Sequence, residues 1–230
     1  MSTNSQTNSQ AAIIQILQLA PWLEWFDQAY LQPTLLPTAQ TILAGQRAMN
    51  STQWFTLCAI RRVYEVWTRE SVAAIQATLV GAKAQTILEV GAGDGRLTRA
   101  LARHPAWTVV GQDDGSWAAE GQTTPSVWPL RPESIAQSLA AIQPDTVVVS
   151  WMPYETDWTV DFRTCPSVRQ YVVIGEGPSG CTGTDAVFDP PAPWQIQLVP
   201  DFDRGAVCRT DLPALGARSD AWVIRRCESV

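Results

Sequence analysis

TILEVGAGDGRLTRALA, residues 86–102, passes from an apolar run through three alternating glycines into a helical pattern. Thr86–Val90 has the apolar character of a strand, and Leu97 and Leu101 recur at helical spacing after the glycines. Glycine permits the sharp reversal between strand and helix, and its missing side chain lets a ligand lie on the backbone amides. The positive end of the helix points back at this turn, which suits an adenosine-type ligand with polar or anionic groups. The stretch therefore predicts a strand, a tight turn and a helix that together bind a cofactor.

The spacing of the glycines distinguishes between two classes of cofactor-binding turn. A dinucleotide-binding turn has the pattern Gly-x-Gly-x-x-Gly, whereas this chain has Gly-x-Gly-x-Gly and places Arg96 where the third glycine would be. Glu-x-Gly-x-Gly-x-Gly, starting at Glu89, instead resembles the first motif of class I S-adenosylmethionine-dependent methyltransferases. The alternative is a glycine-rich turn without a ligand, which would carry the entropic cost of three glycines for no function.

The resemblance implies an α/β fold with a Rossmann-like, doubly wound and mostly parallel seven-stranded sheet, an antiparallel last strand and an all-helical N-terminal cap. It also implies S-adenosyl-L-methionine as the cofactor and S-adenosyl-L-homocysteine as the product. In this family the glycine loop passes the methionine part of the cofactor, and the acidic residue helps to place the loop and the methionine amino group. The cofactor-binding residues implied in the loop are Glu89, Gly91, Ala92, Gly93 and Gly95.

Length and local composition predict three segments: a disordered tail over residues 1–10, a helical extension over residues 11–80 and a methyltransferase core over residues 81–230. The tail offers no apolar surface that would offset the entropy of ordering it. The resemblance implies that the extension covers the substrate, although aromatic residues at helical spacing are more often core residues. Helices are predicted from Ala11 to about Tyr30 with a break or restart at Pro21, over roughly residues 37–48, from Asn50 or Ser51 through Trp67, and over Ser71–Leu79.

Short apolar runs predict the remaining strands of the core. Pro129 favours an edge position for the third strand, and one pair of the last strand-like segments is expected to form the antiparallel hairpin that closes the sheet. Either Trp194–Val199 or Ala206–Thr210 can be the sixth strand. The predicted elements are strands at Trp107–Gly111, Ser126–Leu130, Asp145–Ser150, Gln170–Ile174 and Ala221–Arg225, and a helix at Ser134–Ile142.

An acidic pair follows the second predicted strand. Asp113 lies eighteen residues beyond Gly95, and an acid at the carboxyl end of a parallel strand faces the ligand crevice. A carboxylate there can accept hydrogen bonds from both ribose hydroxyls, so we assign ribose binding to Asp113, with Asp114 as the substitute if the register slips by one. The alternative is a solvated acidic turn. Many members of the family carry an adenine-binding acid after the third strand, and Glu133 is the candidate for that position.

The fourth strand ends at Ser150 and continues into Trp151–Met–Pro–Tyr154. Because ligands bind at the carboxyl ends of the strands, Ser150 and Trp151 are expected to contact the cofactor. Methyltransferases acting on amino groups of adenine often have Asp/Asn-Pro-Pro-Tyr here, and the missing polar first residue argues against adenine or glutamine amide methylation. Trp151 and Tyr154 are expected to form an aromatic wall for the sulfonium and a flat or apolar acceptor.

Methyl transfer from a sulfonium depends on alignment and exclusion of water rather than on covalent catalysis. If the acceptor must lose a proton, the carboxylates predicted at the strand ends are Glu155, Asp157 and Glu176, with Tyr154 as a hydrogen-bonding partner. The alternative for each acid is a solvated loop residue. Arg61 or Arg62 is a candidate for the methionine carboxylate, and an exposed helix face would also carry arginines.

Composition narrows the classes of partner. A net charge of −6 argues against an unassisted nucleic-acid binder. No apolar run reaches membrane-spanning length, and no signal peptide is expected, so we predict a cytoplasmic protein without a membrane partner. Five cysteines without Cys-x-x-Cys spacing and a single histidine predict reduced, mostly core-filling thiols and no metal site.

The leading hypothesis is methyl transfer to a small-molecule acceptor. The alternatives are a peptide or protein side-chain methyltransferase, and a protein that binds the cofactor without transferring the methyl group, either as a regulatory partner or as a non-methylating catalyst. The sequence does not identify the acceptor, since fold resemblance alone never does.

Overall fold

The computed structural model describes residues 19–31, 35–116, 126–211 and 219–227 of the chain. The predicted disordered tail over residues 1–10 lies outside these ranges. Within them, none of the helices has both the length and the apolar character needed to cross a bilayer. The helices are α1 at 19–26, which continues into a π-helical turn at Asp27–Leu31, then α2 at Ala39–Arg47, α3 at Ser51–Ile60, α4 at Arg69–Gly81, α5 at Arg96–Leu101, α6 at Ile135–Ile142 and α7 at Thr159–Thr164.

Side-chain caps fix where the N-terminal helices begin. Asn50 accepts a hydrogen bond from the Gln53 amide in a capping box, and Thr68 does the same with Ser71. Residues 19–26 are helical through Pro21, and the prediction of a break or restart at Pro21 stays untested because the residues before 19 lie outside the described ranges. Helices α2 and α4 confirm the predicted elements with slightly different ends.

Helix α3 ends at Ile60, so the prediction of a helix through Trp67 is wrong. Arg62 adopts a left-handed conformation with φ of 53°, its amide donates to the carbonyl of Ala59, and the Val63 amide donates to the carbonyl of Cys58. These two bonds satisfy carbonyls at the helix end in a Schellman motif. The chain therefore passes from α3 to α4 through an irregular segment over residues 61–68.

The seven strands form one sheet in the order β3-β2-β1-β4-β5-β7-β6. The pairs from β3 to β5 are parallel, and β7 runs antiparallel to both β5 and β6. This confirms the predicted fold class and the closing antiparallel hairpin. The strands are β1 at Thr86–Val90, β2 at Thr108–Gln112, β3 at Leu130–Arg131, β4 at Thr146–Ser150, β5 at Gln170–Gly175, β6 at Trp194–Leu198 and β7 at Asp220–Arg226.

One sequence-based expectation about the strands is corrected, and one open alternative is decided. The third strand occupies the sheet edge as expected, but it contains only Leu130–Arg131 rather than Ser126–Leu130. The sixth strand is β6, and the segment Ala206–Thr210 contributes a single antiparallel bridge between Cys208 and Glu65. That segment is attached to the helical extension and not to the sheet.

Alternate residues of the central strands pack on opposite faces of the sheet. Ile87, Val148 and Val172 belong to the hydrophobic core that includes the N-terminal helices, whereas Leu88 and Val147 belong to the core on the other face. Aromatic residues of the extension, such as Trp54 and Phe26, are fully buried in the first core. The extension is therefore packed on one face of the sheet by its aromatic side chains.

Glu89 is a buried acid near the carboxyl end of β1, where its chain neighbours Leu88 and Val90 are apolar. Its side chain is buried at 2% exposure, and the Thr98 hydroxyl of α5 donates a hydrogen bond to it. Burial raises the pKa of this carboxyl from its usual 4.5 to about 8, against the opposing effect of the Thr98 hydrogen bond. The contact joins the strand before the glycine loop to the helix after it.

Titration of Glu89 predicts a pH dependence of stability. The folded protein holds the Glu89 proton more tightly than the unfolded chain does, so the free energy of unfolding falls as pH rises from about 4.5 to about 8. Glu89→Gln removes this titration. The fall in the free energy of unfolding between pH 5 and pH 8 should therefore be smaller in the variant by about 1 kcal/mol or more. Urea unfolding at pH 5 and pH 8 measures it, with Glu155→Gln as the exposed control. Equal pH slopes for Glu89→Gln and the parent protein would contradict the assignment.

Candidate active site

A cavity of about 580 Å³ lies at the carboxyl ends of β1, β2 and β4. This is the edge at which ligands bind in doubly wound sheets. One wall consists of the loops that follow the three strands, and the other consists of residues 59–67 and Arg209. Six predicted cofactor-binding residues line the cavity together: Gly91, Ala92, Gly93, Asp113, Ser150 and Trp151.

The glycine loop needs glycine for both conformation and space. Gly91, Gly93 and Gly95 have φ values of 65°, 59° and 77°, which is the left-handed region that disfavours side chains. A Cβ on Gly93 would meet no atom within 4 Å, whereas one on Gly91 would lie 3.1 Å from the Trp158 ring. The loop therefore leaves open space beside Gly93, on the side where a ligand can approach the backbone.

Asp113 connects the loop after β2 to the glycine loop. Its two carboxylate oxygens accept hydrogen bonds from the amides of Gly93 and Gly115, at 2.7 and 2.9 Å respectively. Each oxygen accepts one hydrogen bond from a backbone amide in this arrangement. A carboxylate oxygen can accept more than one hydrogen bond. Asp113 can therefore hold its position and still bind hydroxyl groups of a ligand.

Arg96 fastens the glycine loop to the N-terminal helices. Its side chain is buried at 3% exposure and forms an ion pair of 3.0 Å with Asp94. It also donates a 2.7 Å hydrogen bond to the carbonyl of Tyr30 and lies 4.5 Å over the Tyr30 ring. The residue that replaces the third glycine of a dinucleotide fingerprint is thus an anchor between the loop and the helical extension.

Aromatic residues from the segment 61–68 and from the chain after β4 together form an aromatic wall of the cavity. The Tyr64 and Trp151 rings are 5.6 Å apart between centroids, and both line the cavity with Trp67 and Trp158. Trp151 directly follows β4 with a φ of 55° and donates its amide hydrogen to the Ile174 carbonyl at 2.8 Å. The Trp151 indole reaches the segment 61–68, where its N–H donates a hydrogen bond to Glu65.

Glu65 is a buried acid in that aromatic wall. Its carboxylate oxygens accept hydrogen bonds from the Trp151 indole at 3.0 Å and the Ser219 hydroxyl at 2.9 Å. Burial raises the pKa of the Glu65 carboxyl to about 8, although those two hydrogen bonds act in the opposite direction. The ionised form of such a carboxyl increases as pH rises towards 8, and it is a stronger base than an ordinary carboxylate.

Arg209 lies beside Tyr64 on the same wall. The Tyr64 carbonyl accepts a 2.8 Å hydrogen bond from the Arg209 amide, and the Arg209 guanidinium lies 3.8 Å over the Tyr64 ring and 5.0 Å over the Phe55 ring. The Val66 amide also donates to the Val207 carbonyl at 2.8 Å. The segment 206–211 is therefore held against the helical extension and places Arg209 at the cavity.

The two arginines that end α3 have different positions. Arg61 is paired with Asp27, and one of the two contacts is a 2.6 Å hydrogen bond from Nε. Both Arg61 and Arg62 border the cavity. The predicted contact of Arg61 or Arg62 with a ligand carboxylate stays a prediction for both residues.

Four of the predicted cofactor-binding residues lie away from the cavity lining. Glu89 is buried against Thr98, and Gly95 is close to Trp128 and Leu130. Asp114 is exposed and accepts a 2.9 Å hydrogen bond from the Ser116 amide, while Glu133 is paired with Arg131. Of the two acids after β2, only Asp113 lines the cavity. The roles assigned to these four residues stay predictions.

The predicted catalytic residues also lie outside the cavity lining. Tyr154 is 64% exposed and Glu155 is exposed in a left-handed turn. Asp157 accepts a 2.9 Å hydrogen bond from the Thr159 amide at the start of α7 and lies 3.6 Å from Arg163. Glu176 accepts hydrogen bonds from the Thr210 hydroxyl at 2.6 Å and the Cys181 amide at 2.9 Å. Asp157 and Glu176 thus have well-defined local hydrogen-bonding roles.

Sequence reasoning missed most of the second wall. Glu65 and Tyr64 fall within the helix that was predicted through Trp67, and Arg209 falls within a segment read as a strand. One local signal was present, because Glu65 is an acid flanked on both sides by apolar residues in Val63–Trp67. Such an acid is rarely buried without a partner.

A larger open groove of about 960 Å³ lies at the opposite end of the sheet. Thr146 and Gln170, the first residues of β4 and β5, line it together with Asp145 and Arg169. The glycine loop and Asp113 are absent from its lining. We therefore place the candidate active site in the smaller cavity, at the carboxyl ends of the parallel strands.

No family model matches the sequence, and no curated protein matches it. Several solved structures are similar to the chain at low sequence identity. The methyltransferase domain of bacterial CtHen1 is 12% identical with a TM-score of 0.44, over 68% of this chain and 98% of that chain. Human N-acetylserotonin methyltransferase in complex with SAM is 12% identical with a TM-score of 0.44, over 78% of this chain and 57% of that chain.

A third similar structure is the plantazolicin methyltransferase BpumL in complex with a monoazolic desmethylPZN analog and SAH. It is 11% identical with a TM-score of 0.43, and the match covers 69% of this chain and 86% of that chain. The order and directions of the strands define the fold of this chain independently of these similarities.

Proposed function

We propose that this protein binds S-adenosylmethionine and catalyses methyl transfer to a small, flat acceptor. The observation that carries the proposal is one cavity lined by both the glycine loop with Asp113 and the aromatic wall of Tyr64 and Trp151. A cavity of about 580 Å³ is within the range of small-molecule sites. The cofactor supplies a methyl group on a sulfonium, which a nucleophile displaces directly.

The residues on the cofactor side fit the groups that S-adenosylmethionine presents. Asp113 has the remaining acceptor capacity for ribose hydroxyls, and the space beside Gly93 admits a ligand to the loop. Arg61 and Arg62 border the same cavity and are the candidates for the methionine carboxylate. The buried anchor of Arg96 holds this loop in place, so that the binding surface is preorganised.

The residues on the acceptor side orient the acceptor and exclude water. Tyr64, Trp67, Trp151 and Trp158 present aromatic surface to the cavity, which favours a flat acceptor and a positively charged sulfonium. The segment 61–68 and Arg209 form the wall opposite the glycine loop. A cavity of about 580 Å³ between these two walls favours a small molecule over an extended peptide.

Glu65 is the carboxylate best placed to accept a proton from the acceptor. It lines the cavity, in contrast to the predicted bases Glu155, Asp157 and Glu176. The Trp151 indole can only donate a hydrogen bond, so it stabilises the ionised form of Glu65 while fixing its orientation. We therefore propose Glu65 as the general base for acceptors that carry an ionisable hydroxyl or amine.

Replacement of Asp113 tests the cofactor half of the proposal. Asp113→Asn keeps the size of the side chain but removes a charged acceptor, so it should weaken S-adenosylhomocysteine binding about 10- to 100-fold. Isothermal titration calorimetry measures the affinity, and Asp114→Asn is the matched control that should bind as the parent protein does. The proposal fails if the parent protein binds neither S-adenosylmethionine nor S-adenosylhomocysteine. Equal losses in the two variants would overturn the ribose assignment.

Replacement of Glu65 tests its proposed role as the general base. Mass spectrometry of reactions with candidate phenols and amines first identifies a methyl acceptor by the gain of one methyl group. With that acceptor, Glu65→Gln should lower kcat by roughly 100-fold or more and leave S-adenosylhomocysteine affinity unchanged. The rise of kcat/KM with pH that follows the raised pKa of Glu65 should also disappear. Glu155→Gln is the control, and an unchanged pH profile in Glu65→Gln would exclude Glu65 as the base.

A further inference from the structure

Arg209 presents a cation in the acceptor half of the cavity. Its guanidinium lies over the Tyr64 ring at 3.8 Å and the Phe55 ring at 5.0 Å, and the residue lines the cavity. The N–H groups of a guanidinium point outward in its own plane. Aromatic rings lying against the guanidinium therefore provide packing and leave its planar edge for hydrogen bonding.

The charge of Arg209 is not matched by a carboxylate within the described residues. None of the ion pairs found there includes Arg209, and its buried Nε atom has no hydrogen-bond acceptor among them. A buried polar donor without an acceptor is costly, and the cost is larger for a charged group. Arg209 thus lines the cavity as a cation without a carboxylate partner in the described part of the chain, and an anionic ligand in the cavity would supply one.

The neighbouring acid does not neutralise this cation. Glu65 directs its two oxygens to Trp151 and Ser219, at 3.0 and 2.9 Å. Asp211, two positions further along the chain, accepts hydrogen bonds from the Cys208 amide and thiol. Neither acid therefore pairs with the guanidinium of Arg209, whose N–H groups can bind a ligand of opposite charge.

We propose that Arg209 binds an anionic oxygen group, a carboxylate in the first instance, carried by the flat acceptor. This deepens the proposed function, because it specifies the class of acceptor for the same cavity. A planar carboxylate can accept two parallel hydrogen bonds from a guanidinium, and such charge-assisted pairs are strong and directional. The aromatic body of the acceptor would then lie along Tyr64 and Trp151.

Matched acid and amide probes test the proposal directly. The probes are benzoate with benzamide, 4-hydroxybenzoate with 4-hydroxybenzamide, and indole-3-acetate with indole-3-acetamide, titrated into the full chain by calorimetry with and without S-adenosylhomocysteine. We expect at least one acid to bind about tenfold or more tightly than its amide. Arg209→Gln should abolish that preference and leave S-adenosylhomocysteine affinity unchanged.

Arg169→Gln is the matched control, because Arg169 is 64% exposed at the other end of the sheet and faces Asp145 at 3.6 Å. It should keep the preference for acids. If Arg209→Gln does not fold, Arg209→Lys takes its place, since a lysine keeps the charge but loses the planar fork. It should lower the preference several-fold.

Three results would overturn the proposal: no acid preferred over its amide in the parent protein, a preference that persists in Arg209→Gln or unchanged in Arg209→Lys, or loss of S-adenosylhomocysteine binding in Arg209→Gln. The last result would assign Arg209 to the cofactor. If the parent protein does not bind S-adenosylhomocysteine, the proposed function fails, whereas the acid preference measured without it still decides the role of Arg209.

Discussion

The buried guanidinium of Arg96 is the contact on which the geometry of the cavity depends. It holds Asp94 of the glycine loop and the backbone of Tyr30 in the helical extension at the same time. A buried charge is tolerated only when it is paired and hydrogen-bonded, so the loop and the extension must meet in this arrangement. Arg96 therefore fixes the glycine loop relative to the helical extension, and the hydrogen bond from Trp151 to Glu65 adds a second link between the walls of the cavity.

The sequence was sufficient for the part of the site that is local in the chain. The strand, glycine loop and helix over residues 86–102 follow from periodicity and glycine spacing, and Asp113 follows because parallel strands end at the same edge of the sheet. The second wall depends on contacts between distant segments. Ser219 lies 154 positions from its partner Glu65, and no local pattern encodes a hydrogen bond of that kind.

The incorrect end of α3 has an identifiable physical cause. Helices commonly end with a glycine in the left-handed conformation, but here Arg62 takes that conformation. Apolar residues continue at helical spacing beyond it, so the periodicity extends past the true end of the helix. The strand-like pattern of Ala206–Thr210 misleads in the same way, because its buried residues pack against residues 63–67 and not within the sheet.

Asp113 already accepts the amides of Gly93 and Gly115 in the protein alone. A carboxylate held in this manner has lost its side-chain freedom before any ligand arrives, so little further entropy is lost when it takes part in binding. Recognition at this position then resembles docking onto a rigid surface, and the rate of association would depend on access to the cavity rather than on ordering of the loop.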